Sequence, residues 1–147
     1  MKPALLLLLI FSLTYSCKSK SYESEAIKDL LEKESATWRS GDVKGHAACW
    51  KVQPYSRILV STGDGTVIDV PPENVINPPG QKMGDGGSSV NSNYKMNITG
   101  SSAWVSHNEE SISKEGKKSY SYEIRLLEKI KNEWKLVGQS IHIIKPE

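Results

Sequence analysis

At 147 residues, with 37% apolar, 24% charged and 7% aromatic side chains, the chain is sized for one globular domain and is too apolar to be disordered. Its 19 basic and 17 acidic residues are interspersed, for a formal charge of +2. That excludes the basic stripe a nucleic-acid binder needs to offset phosphate charge.

The N-terminus carries Lys2, an apolar run over residues 4–13 and a small-residue approach to Cys17. Ten apolar-rich residues span about 15 Å as a helix, half the hydrocarbon thickness of a bilayer, which fits a signal-peptide core better than a membrane span. Leu13-Thr14-Tyr15-Ser16-Cys17 resembles the lipobox of bacterial lipoproteins. The resemblance implies removal of residues 1–16, a lipid anchor on Cys17, and residence in the bacterial cell envelope on the periplasmic or outer-membrane side. Losing 16 of 147 residues leaves 131, and losing Lys2 takes the balance to 18 basic against 17 acidic residues. Residues 17–23 are polar and read as a tether, and 24–147 as the domain. With Cys17 acylated only Cys49 remains, so no intramolecular disulfide can form and the core must hold the fold.

Residues 25–39 have helical spacing: Ile27, Leu30, Leu31 and Trp38 share one side, and Lys28, Asp29, Glu32 and Lys33 the other. Gly41 supplies a stop and Asp42 a cap for a second helix, 43–50, with Val43, His46, Ala47 and Trp50 on one face. Short strands follow at 55–61 and 66–70 around Gly63-Asp64-Gly65, then one helical turn at 71–76. Residues 77–91, rich in Gly and Pro, read as a loop. Strands at 94–98, 103–112, 119–130 and 134–144 close the chain. This order predicts an α+β fold with a curved antiparallel sheet wrapped around N-terminal helices.

Trp38-Arg39-Ser40-Gly41-Asp42, the second helix ending near Trp50, Asp64-Gly65 in a turn, Ala103-Trp104-Val105, Leu126-Leu127-Glu128-Lys129 and Glu133-Trp134-Lys135-Leu136-Val137 follow one another in a familiar order. That order resembles the nuclear transport factor 2-like superfamily, in particular its SnoaL-like and ketosteroid-isomerase-like members, over about residues 24–144. The resemblance implies a cystatin-like cone with a pocket at one end, and it leaves function open, because members include isomerases, dehydratases, cyclases, ligand-binding domains and dimerisation modules. The catalytic Asp of the isomerases would fall near Arg57-Ile58 and their oxyanion tyrosine near Glu34, so isomerase chemistry is disfavoured.

Strand alternation groups Ala103, Val105, His107, Glu109 and Ser111; Tyr120, Tyr122, Ile124 and Leu126; and Trp134, Leu136, Gly138, Ser140 and His142. Turns near 115–116 and 131–133 set Glu109 opposite Tyr122 and Tyr122 opposite His142, a polar row with His107 diagonal to it. His107, Glu109, Tyr122 and His142 are thus candidates for acid–base work of the dehydratase or cyclase type, or for structure alone. Trp38, His46, Trp50, Tyr122, Ser140 and His142 are candidate ligand contacts. The three histidines lack metal-site spacing, so neither a metal nor a cofactor is expected. The leading expectation is an envelope pocket domain binding a small, partly apolar molecule. A cofactor-free enzyme and a homodimerisation module, the latter through an outer patch at Trp104 and Ile112, are the alternatives.

Overall fold

The computed structural model describes residues 3–80, 83, 84 and 86–144, with side chains from residue 21 onward. Helix α1 (Pro3–Ser40) carries the backbone through the expected leader and tether and into the domain. Cys17, the expected lipidation site, lies in the part of α1 whose side chain is outside the described residues. Among the described residues no helix is long and apolar enough to cross a membrane.

The chain reverses at Gly41, whose φ of +71° needs a residue without Cβ. The Asp42 N–H closes the last turn of α1 on the Thr37 carbonyl at 3.0 Å, and Asp42 Oδ1 then accepts from Gly45 N at 2.9 Å. That caps α2 (Val43–Cys49), as the sequence predicts. Strands β1 (Ile58–Ser61) and β2 (Val67–Val70) form a hairpin, and α3 (Glu73–Ile76) follows. Then come β3 (Ser88–Thr99), β4 (Ser102–Ile112), β5 (Lys118–Ile130) and β6 (Glu133–Ile144).

The six strands form one sheet in the order β2-β1-β6-β5-β4-β3. It is mixed rather than wholly antiparallel, because β1 lies parallel to β6, Ile58 beside Gln139 and Ser61 beside His142. Helices α1 and α2 cross its concave face. Ile27 and Leu31 of α1 meet Trp50, Ile58, Val75, Val105, Leu127, Trp134 and Leu136 in one core. Each such aliphatic side chain contributes about 1.5–3 kcal/mol by leaving water. Cys49 is buried in this core, and burial pushes its thiol up, so it behaves as a small apolar residue.

Two departures from the expected elements matter for the site. β3 begins at Ser88, well inside the segment read as a loop. Its polar start, Ser88 to Ser92, has no apolar alternation to announce it and is held by pairing with Asn108–Ile112. The loop before it is pinned to the end of α1. Met83 is buried, the Gly86 N–H donates to the Arg39 carbonyl at 3.0 Å, and a Cβ on Gly84 would stand 2.6 Å from the Trp38 carbonyl oxygen.

Candidate functional site

The concave face ends in a cavity of about 400 Å³, within the range of small-molecule sites. It is walled by α1, α2, α3 and five strands. One side is apolar: Ile58 and Val60 of β1, Val70 of β2, Val75 of α3, and Ile141 and Ile143 of β6. The opposite side carries Glu34, Ser35, Trp38 and Arg39 of α1, His46 of α2, Glu109 and Ser111 of β4, and Ser121, Glu123 and Arg125 of β5.

The polar side is a buried charge network. Arg125, 4% exposed, is held between Glu34 (5%) and Glu123 (3%). Its Nη1 stands 3.5 Å from Glu34 Oε2 and also donates to Gln139 Oε1, while Nη2 donates to Glu123 Oε2. Glu123 accepts in addition from the Ser121 hydroxyl at 2.8 Å. Burial opposes the charge on Arg125, but Glu34 and Glu123 outweigh it and hold the guanidinium above its ordinary range. Glu109 forms a second centre. Its Oε1 accepts from Arg39 Nη2 at 2.5 Å and from the Ser111 hydroxyl at 2.7 Å, and its Oε2 from the Ser35 hydroxyl at 2.9 Å. Burial pushes its carboxyl up, yet the Ser111 hydroxyl, the Arg39 charge and the Ser35 hydroxyl together keep it below the usual carboxylate value.

His46 is 1% exposed and closes the cavity from α2. Its Nδ1 faces the Glu34 carbonyl oxygen at 3.3 Å, and its Nε2 lies 3.7 Å from Glu34 Oε1 with no hydrogen-bond partner among the described residues. Its ring sits between Trp38 and Trp50, with centroids 5.2 and 6.3 Å away. The Trp50 indole N–H donates to Glu34 Oε1 at 3.3 Å, so Trp50 supports the site from below while Trp38, half exposed, stands at the rim. Among the described residues no group of three or more His, Cys, Asp or Glu is placed to hold a metal ion.

The expected polar row does not assemble. Glu109 and His107 do share the concave face. Glu109, however, pairs with Ser121, because the β4–β5 loop occupies Ser113 to Lys117 and centres one half-residue earlier than expected. That shift reverses the inward face of β5. Ser121, Glu123, Arg125 and Leu127 point in, and Tyr120, Tyr122, Ile124 and Leu126 alternate with them. Tyr122 does pair with His142, but on the convex side. In β6 the ladder steps from Leu127–Leu136 to Leu126–Gly138, leaving Val137 as an extra residue. Trp134 and Leu136 therefore point inward, Gln139, Ile141 and Ile143 follow them, and Ser140 and His142 turn out. There the Ser140 hydroxyl and His142 Nε2 are 2.9 Å apart. His107 is buried beneath Tyr94, ring centroids 5.2 Å apart and stacked, rather than open to the cavity. Burial and the nearby Arg125 charge push its imidazole down, against a smaller pull from Glu123.

Of the expected ligand contacts, Trp38 and His46 line the concave cavity, and Tyr122, Ser140 and His142 are corrected to the outer face. Tyr122 and His142 lie there in a shallow depression of about 740 Å³ bounded by β3 to β6 alone. Glu34, Arg39, Glu123, Arg125 and Gln139 were not anticipated. Glu34 carried a usable signal, falling three residues after Leu31 and four before Trp38, on the inward face of α1.

Similarity to solved structures agrees with this architecture. An NTF2-like protein with a cystatin-like fold from Novosphingobium aromaticivorans superposes with a TM-score of 0.65 at 13% identity, covering 90% of this chain and 90% of its own. The fold is nuclear transport factor 2-like. An NTF2-like protein of unknown function from Shewanella baltica gives 0.62 at 17% identity, over 86% of this chain and 97% of its own. A protein assigned as a Ca/calmodulin-dependent kinase II association domain from Exiguobacterium sibiricum gives 0.60 at 12%, over 85% and 95%. No family model matches the sequence, and no curated protein matches it. At these identities the NTF2-like likeness establishes fold, and function rests on the site.

Proposed function

We propose that the chain is a pocket domain that binds a small, partly apolar molecule in its concave cavity, tethered to the cell envelope through a lipid on Cys17. The observation that carries the binding reading is the two-sided cavity. Six aliphatic side chains face a largely buried polar wall in which His46 Nε2 has no hydrogen-bond partner among the described residues. An apolar body with one polar end matches that division, and water fills an aliphatic wall poorly. His107, Glu109, Tyr122 and His142 do not support a single catalytic centre, since two of them face away from the other two.

The test is native mass spectrometry of the chain purified without denaturation, beside Val60→Trp, which fills the cavity from its apolar wall. A co-purified small molecule present in the wild type and absent from Val60→Trp is the expected result. A molecule retained by Val60→Trp would refute binding at this place. The anchor is tested separately by metabolic labelling with a fatty-acid analogue, expected to mark the chain and to be lost in Cys17→Ser.

A second reading, self-association, is favoured by the convex face. Trp104, Tyr122, Ile124 and Leu126 are each 42–56% exposed there, with Trp104 and Leu126 directly paired across β4 and β5. The Exiguobacterium neighbour is assigned as an association domain, which suits a role for this scaffold in assembly. A second copy laid on this stripe would cover an aromatic and aliphatic centre of the kind found at homodimer interfaces. Sedimentation at tens of micromolar is expected to show a dimer that Leu126→Arg converts to monomer. A monomeric wild type would remove this reading.

A further inference from the structure

The cavity's polar wall is unevenly satisfied, and the imbalance specifies a head group. A carbonyl oxygen only accepts, so His46 Nδ1, which faces the Glu34 carbonyl, carries a ring proton, and in the neutral imidazole Nε2 is then the acceptor. Glu34 Oε1 lies 3.7 Å from it, beyond hydrogen-bond range. Among the described residues His46 Nε2 is therefore a buried acceptor with no donor, beside a carboxylate oxygen whose one donor is the Trp50 indole N–H at 3.3 Å. The fixed charges point the same way. Glu34, Glu109 and Glu123 face Arg39 and Arg125, three negative charges against two positive. Arg39 Nε and Arg125 Nε also lack hydrogen-bond partners among the described residues, but each guanidinium already donates to a carboxylate through its Nη atoms. An anionic ligand would bring a fourth negative charge into the same buried space, where charge is least well screened.

We propose that the molecule bound in this cavity is an apolar amine, its protonated nitrogen donating to His46 Nε2 and Glu34 Oε1. This rests on the pocket reading above and narrows it to one chemical class. The amine cancels the residual negative charge, supplies the donor that His46 Nε2 lacks and adds a second, charged one to Glu34 Oε1. Its apolar body lies along Val60, Val70 and Ile141, and Trp38 at the rim offers a ring face to the cation.

The experiment is calorimetric titration of the full chain with four probes sharing one skeleton: naphthylmethylamine, naphthylmethanol, naphthoate, and naphthylmethyl-trimethylammonium, which keeps the charge and has no N–H. The amine is expected to bind at least about tenfold tighter than naphthoate and than the trimethylammonium, the scale of one charge-assisted hydrogen bond. Glu34→Gln, with its fold checked by circular dichroism, should remove most of the amine's advantage over the alcohol. If that variant does not fold, the ranking of the four probes on the wild-type chain decides alone. Naphthoate binding as tightly as the amine, or the trimethylammonium matching it, would overturn the head-group assignment and leave the pocket intact. Binding of none of the four would overturn the pocket reading and this inference with it.

Discussion

Arg125→Met is the sharpest probe of the buried network. Methionine keeps much of the aliphatic stem, so the substitution removes charge more than volume. What it leaves behind is Glu34 and Glu123, at 5% and 3% exposure, with the guanidinium that lay between them gone. Breaking a buried pair by removing one partner costs about 3–5 kcal/mol. A domain of roughly 120 residues unfolds with an entropy of about 0.25 kcal/mol per kelvin, so the expected fall in Tm is about 12–20 °C. The assay is calorimetric melting at pH 7 and fixed salt. The same argument makes a second, opposite demand. In Glu34→Gln/Glu123→Gln/Arg125→Met no buried charge lacks a partner, and stability should return to within about 2 kcal/mol of wild type. Arg125→Met melting within about 3 °C of wild type would refute the reasoning. So would a triple variant no more stable than the single one.

Three further outcomes follow from particular groups. His107 is held below its ordinary 6.5 by burial and by Arg125, so the unfolded chain binds its proton first; stability is full above about pH 6.5 and declines as pH falls toward the folded value. Urea melts from pH 7.5 to 5 should show a shallower acid limb in His107→Leu, and equal slopes would refute the assignment. Glu109 is held below 4.5, so its contribution is present above that value and lost beneath it; Glu109→Gln should cost about 1–3 kcal/mol at pH 7, shrinking as pH falls below 4.5. Gly87 and Gly116 both have left-handed backbone, φ +82° and +79°, but a Cβ on Gly87 would lie 2.0 Å from the Ile112 carbonyl oxygen while one on Gly116 meets nothing within 4 Å. Gly116→Ala should therefore cost only the left-handed penalty, about 1–2 kcal/mol, and Gly87→Ala clearly more; equal losses would mean the β3 entry yields without resistance.

The break between the two helices, the turns and the succession of elements along the chain were legible in the sequence because local chemistry decides them; the start of α1 at Pro3 and the parallel pairing of β1 with β6 were not. Gly41 and Asp42 stop one helix and cap the next, and Lys131-Asn132, at φ 50° and 68°, makes the tight turn that joins β5 to β6. The concave face of β4 was legible too, since Ala103, Val105, His107 and Glu109 share one parity. The site was not, for two reasons of one kind. Strand parity is absolute within a strand but is transmitted between strands only through loop length and register. A five-residue rather than even-numbered β4–β5 loop, and one extra residue at Val137, each reverse a face. Neither leaves a composition signal.

The larger departure of β5 from hydrophobic patterning is chemical, and it bears on function. In β5 the apolar set Tyr120, Tyr122, Ile124 and Leu126 alternates with the polar set Ser121, Glu123 and Arg125, and hydrophobic patterning sends the first inward. The fold does the reverse at the pocket end and keeps the rule only at Leu127, where the core proper begins. Such an inversion lowers stability twice, by desolvating ions inside and by leaving aromatic surface in water. Structure alone gives no reason to retain it, because apolar replacements for a buried ion cluster are often neutral or stabilising. Each half of the inversion acquires a use if the inner face must recognise a polar group and the outer face must meet another apolar surface. The two readings are therefore coupled through one strand. A variant that exchanges the faces, Glu123→Leu/Arg125→Leu with Ile124→Lys/Leu126→Lys, and carries Glu34→Gln so that no carboxylate is left buried without its guanidinium, should be a stable monomer with an unresponsive cavity. A face-exchanged chain that retained ligand binding and self-association would show that the inversion serves neither.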